Sequence, residues 1–143
     1  DDWFMPEHIE TLVEVLNRGN DWAHSLRRIY SKEGEYLFND DCESLGAHPI
    51  FHDSKSHLVE TCSYAVRTPI MCNVAAVYNY RGFGPDRLQY DFLYKNYPKF
   101  GCTGKYTMCF RLGGNPNSVT KEFFENGNSI MKLRYPGGFP WAK

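Results

Sequence analysis

The chain has 143 residues, a formal net charge of −1 at pH 7, and 42% hydrophobic and 16% aromatic residues. That length fits a single domain over 1–143 and buries about 70% of the unfolded surface, enough for a core without obligatory crosslinks. The balanced charge argues against a nucleic-acid partner, and no apolar run approaches the ~20 residues of a membrane span.

The first predicted element is a helix opened by Pro6, where a missing N–H costs nothing, with Glu7 and Glu10 on the favourable end of its dipole. Ile9, Leu12, Val13 and Leu16 give it an apolar stripe, and Asn17-Arg18-Gly19 ends it. A second helix is predicted after Asn20 or Asp21, from Trp22, Leu26, Ile29 and Tyr30 at helical spacing, ending at Gly34. Glu35 to Asp40 reads as a strand. An irregular stretch from Cys42 to Asp53 follows. A third helix is predicted from Ser54 or Ser56 through Leu58, Cys62, Ala65 and Val66, limited by Pro69.

From there the period changes to two. Cys72 to Tyr80, Leu88 to Tyr94 and Lys105 to Leu112 alternate as strands, separated by turns at Gly82 to Asp86 and Pro98 to Gly104. Val119 to Phe124 and Ser129 to Tyr135 flank Asn126-Gly127, a strong short hairpin signal. Helices followed by strands argue for an α+β fold. The expected architecture is three N-terminal helices packed on a curved, mainly antiparallel four- to six-stranded sheet, a cone-shaped α+β barrel around a pocket.

The five cysteines, an odd number, admit at most two internal disulfides and leave one thiol over. Reduced buried cysteines and one or two disulfides in a secreted protein stand equally open, and secreted and cytoplasmic locations with them. Cys102 with Cys109 is the first pair to test. No secretory leader is visible, though a mature chain would have lost one.

Pro6-Glu7-His8, Leu16-Asn17-Arg18-Gly19, the segment Trp22 to Tyr30, Leu37-Phe38-Asn39-Asp40 and Phe123 to Met131 together resemble the nuclear transport factor two-like superfamily. Its members include ketosteroid isomerase, scytalone dehydratase and SnoaL-type cyclases. The resemblance implies a conical cavity, frequent homodimers and uses ranging from isomerase to association module. It aligns the isomerase base with Asp40. The isomerase tyrosine falls near Leu12, its oxyanion acid near Thr120 or Lys121, and the dehydratase Tyr-Asp pair near Asn17 and Arg18, so only one carboxylate carries over.

Asp40 is therefore the candidate general base, beside Asp41; the plainer alternative is a polar turn at Asn39-Asp40-Asp41. His48 and His52 are candidate proton donors, since imidazole titrates near neutrality. With His57, Asp53 and Glu60 they match no established metal spacing, so no metal and no cofactor are expected. Cys62 with His57 is a conceivable nucleophile, but on an apolar stripe it would be inert. Tyr30, Tyr78, Tyr80, Tyr90 and Tyr106 are candidate substrate-binding residues: each brings an apolar ring and a polar tip, though such rings also serve simply as core. The expected function is a small-molecule pocket protein, an acid/base isomerase or dehydratase acting on a cyclic or aromatic ligand. The alternative is a noncatalytic secreted ligand-binding or dimerisation module of the same fold.

Overall fold

A strand buried along almost its whole length forms the centre of the molecule. In the computed structural model, which describes residues 2–76, 84–114 and 118–142, this strand is β2 (Trp22–Tyr30). Before it come β1 (Trp3–Phe4) and α1 (His8–Asn17). After it come β3 (Tyr36–Asn39), a 3-10 turn (Thr61–Ser63), β4 (Tyr64–Val66), α2 (Thr68–Ala75), α3 (Pro85–Asn96), β5 (Phe100–Arg111) and α4 (Lys121–Arg134).

The long pair β2 and β5 runs parallel, from Trp22 opposite Phe100 to Tyr30 opposite Arg111. β1 extends the sheet antiparallel on the far side of β5, pairing Trp3 with Cys109. The other edge of β2 is shared: β4 pairs with its beginning and β3 with its end, both antiparallel. The class is α+β, as expected. The sheet is mixed and open, with five strands in the order β1-β5-β2-β3 and β4 beside β2.

Several elements differ from the sequence expectation, each for a physical reason. The second predicted helix is β2. A strand covered on both faces buries consecutive residues, so a subset falls at helical spacing by chance. The third predicted helix is extended chain: Ser56 and Leu58 give their carbonyls to the amides of Ile50 and Gly46, bonds between chain segments rather than within a helix. Pro69 sits in the first turn of α2 rather than ending a helix. Cys72 to Ala76 accordingly belong to α2 and its end, while Tyr78 and Tyr80 lie outside the described residues. Leu88 to Tyr94 is helical too, because Gly84, at φ 93°, and Pro85 start α3.

The closing hairpin is a single helix, α4. Gly127 is there for proximity, not for a turn. A Cβ on it would stand 2.6 Å from Cys42 Sγ and 2.8 Å from a Phe51 ring carbon. Gly101 does the same for α1, where a Cβ would meet Val15 Cγ1 at 2.7 Å.

Three apolar clusters hold these layers. Leu12 and Val15 of α1 pack on Ala23. Ile70, Val74, Tyr90 and Leu93 of α2 and α3 pack on Trp22 and Val59. Phe124 and Met131 of α4 pack with Leu26, Ile29, Cys42, Leu45 and Trp141.

No disulfide joins the cysteines among the described residues. Cys102 and Cys109 lie on one extended strand. Seven residues at the strand rise put them roughly 20 Å apart, too far to bridge. Cys62 is exposed in the 3-10 turn rather than buried on a helix stripe, and burial of its sulfur with Glu60 nearby pushes its thiol pKa up, away from reactivity.

Candidate functional site: a buried arginine and a cleft of carboxyls

The chain leaves β3 at Asn39 and turns sharply into residues 40–44. Asp40 makes that turn. It is fully buried, and its two oxygens accept from the amides of Cys42, Glu43 and Ser44, each at 3.0 Å, and from Arg27 Nε at 2.7 Å. Arg27 projects from β2, 3% exposed, with its second arm on Glu43 Oε2 at 2.6 Å. Its guanidinium carbon lies 5.0 Å from the Phe110 ring centre and 5.1 Å from that of Phe124. The rings supply the face-on contact a weakly hydrated guanidinium favours.

The electrostatics separate the two carboxyls. Burial alone would raise Asp40, but Arg27 and the Ser44 and Cys42 amides outweigh it and hold its pKa below the usual carboxylate range. Glu43 shares the same arginine, yet burial dominates, reinforced by Asp40 and Asp86, and its pKa is raised. Burial also raises Glu60, whose Oε2 accepts from Cys62 N at 2.6 Å.

Arg27, Glu43 and Glu60 line one cleft of about 410 Å³, with Asp86 from α3 and the apolar surfaces of Leu58 and Phe110. The position expected to be hollow beside Asp40 is instead filled by the guanidinium and its flanking rings. Asp40 is a saturated structural anchor, not a free base.

The other candidate residues lie in different surroundings. Tyr106 donates its hydroxyl to Asp41 Oδ1, which also accepts from Trp141 Nε1 at 2.9 Å. Burial raises the pKa of Asp41 and, together with Asp41 itself, that of Tyr106. His48 packs 5.2 Å from Trp141 and is lowered by burial and by His57. His52 is exposed against Phe51 and Phe123. Tyr30 packs on Trp3 and Tyr36. Tyr90 is core, between His57 and Tyr94, its hydroxyl without a partner among the described residues. The structure thus joins Tyr106 to the 40–41 corner, while Tyr30, His52 and Tyr90 make their ring contacts elsewhere.

Sequence reasoning missed Arg27 and Glu43, and met Glu60 only as a neighbour of the histidines. A helical reading of Trp22 to Tyr30 let Arg27 face water; a buried strand obliges it to find acid partners, and Asp40-x-x-Glu43, just past the antiparallel neighbour β3, supplies them. His24 was missed as well. It is wholly buried, its pKa lowered to about 4 by that burial. Gly46, at φ 62°, leaves its ring room: a Cβ there would stand 2.2 Å from Nε2.

Among the described residues no group of three or more His, Cys, Asp or Glu side chains is disposed to hold a metal, and no helix is long and apolar enough to cross a membrane. Comparison with known proteins gives no match to a family model, a curated protein or a solved structure.

Proposed function

We propose that the cleft over Arg27 binds a small polar organic molecule and performs acid/base chemistry on it, with Glu43 as proton donor and Glu60 as acceptor. The observation that carries this reading is one recess lined by two carboxyls whose pKa values burial raises, which strengthens the hold of one on its proton and the basicity of the other, beside a cation already held in place. Burial moves the Glu43 carboxyl towards holding a proton it can give, and Arg27 stabilises the carboxylate left behind. Phe110 and Leu58 offer the apolar wall on which the body of a ring compound would rest. Protonation of a substrate oxygen by Glu43, with removal of a carbon-bound proton by Glu60, gives isomerisation or, with loss of water, dehydration. The reading keeps the reaction class expected from the sequence and moves it from Asp40 to its neighbours.

The test is a thermal-shift screen of ring compounds bearing hydroxyl or carbonyl groups, followed by NMR detection of turnover. Glu60→Gln is expected to keep binding and lower turnover by at least about a hundredfold, the ordinary contribution of a general base. Glu43→Gln is expected to do the same, with circular dichroism confirming its fold. Turnover that survives both substitutions rules the site out.

A further inference from the structure

A second recess, of about 630 Å³, opens where β3, the end of β5 and the start of α4 meet. Its floor is Leu37, Leu112 and Val119; Val119 also borders the carboxyl cleft. The two recesses differ in electrostatic character: one is mixed in charge, the other lined by cations. The cleft carries Glu43, Glu60 and Asp86 together with Arg27 and Arg87, whereas among the described residues the second recess is lined by Lys32 and Lys121 and by no acidic residue.

The Lys32 stem runs past Gly113 at the rim: a Cβ on that glycine, at φ 80°, would stand 3.6 Å from the stem carbons. Among the described residues Lys121 pairs with the exposed Glu125 at 3.3 Å, a pair of the kind that contributes little and yields readily. The helix start itself is already occupied: Thr120 accepts from Phe123 N, and the Glu122 carboxylate is held by its own backbone amide and by Thr120. Attraction for an anion at this rim therefore comes from the two ammonium groups.

We infer that this recess binds an amphipathic anion, an alkyl chain ending in a single carboxylate or phosphate. The chain covers Leu37, Leu112 and Val119, and the head group reaches Lys32 and Lys121. The volume lies within the ~300–1,000 Å³ of small-molecule pockets. It is a separate recess from the carboxyl cleft, so this site stands independently of the proposed acid/base chemistry.

Calorimetry with octanoate, nonanoate, decanoate, decyl phosphate and decyltrimethylammonium tests it, with methyl NMR of the leucines and valines to locate the ligand. Decanoate or decyl phosphate is expected to bind one to one and shift the Leu37 and Leu112 methyls; the stronger of the two identifies the head group. Affinity is expected to rise about fourfold per methylene from octanoate to decanoate. Lys32→Gln with Lys121→Gln, both at exposed positions, is expected to weaken binding at least tenfold. Binding of neither anion, equal binding of the cationic chain, unchanged affinity in the double variant, or shifts at Leu58 in place of Leu37 would each overturn the assignment.

Discussion

Asp40 and Asp41 are adjacent in the chain and both buried, yet they belong to two different kinds of site. Asp40 faces a cation and three amides, and remains a carboxylate despite losing its water. Asp41 faces a phenol and an indole, neutral donors, and burial raises its pKa. Desolvation is common to the two; the charge of the partner decides the sign. A carboxylate with a fixed positive neighbour becomes part of the scaffold, whereas one that only neutral donors meet keeps its proton more readily.

Removing the cation is expected to have the largest effect. Arg27→Met keeps an unbranched stem between Phe110 and Phe124 but leaves Asp40 without its cation in the interior. Breaking a buried pair from one side costs about 3–5 kcal/mol, so urea denaturation should show a loss of that order at neutral pH. A loss below about 1 kcal/mol would mean that the three amides suffice and that the contrast with Asp41 is not one of charge.

How α4 reaches this corner also explains which parts of the fold could be read in advance. Asn128 binds Asp41 N at 2.9 Å and Asn39 O at 2.8 Å, and Gly127 beside it permits the approach. The buried positions of α4, Phe124, Gly127, Asn128 and Met131, follow the i, i+3, i+4, i+7 pattern, but two of the four are glycine and asparagine, so no apolar helical stripe marks them in the sequence. Asn-Gly drew the hairpin assignment because its second reading, close contact between two backbones, depends on a distant segment. For the same reason α1, β3 and most of β5, whose limits are set locally, were assigned, and β2 was not. Asp40 was singled out as a base, whereas its surroundings are set by Arg27 across a strand pair, a contact invisible to local spacing.

Gly127→Ala would distinguish these two uses of glycine. On an exposed helix the change stabilises by up to about 1 kcal/mol. Against Cys42 and Phe51 it should instead destabilise by about 1–3 kcal/mol, the usual cost of overpacking, seen as a lower urea midpoint. Stabilisation would show that the 40–51 segment is not held against α4.

The smallest expected effect is the most discriminating between the two aspartates. Asn at position 41 can still accept from Tyr106 and Trp141, so Asp41→Asn should change stability at neutral pH by no more than about 1 kcal/mol. The pH profile separates the residues by sign. The raised pKa of folded Asp41 means that the fold binds its proton more tightly than the unfolded chain does. Its contribution is complete below the unfolded value, near 4, and is lost as pH rises through the folded value. Asp40 runs the other way: with its folded pKa lowered, its contribution is present above about 4 and is lost as pH falls through the folded value. Melting curves across this range should therefore show Asp41→Asn flattening the decline on the way up from pH 4, while Asp40→Asn lowers stability at neutral pH and flattens the acid limb. If both variants alter the same limb, partner charge does not govern the pair, and burial alone would have to account for both.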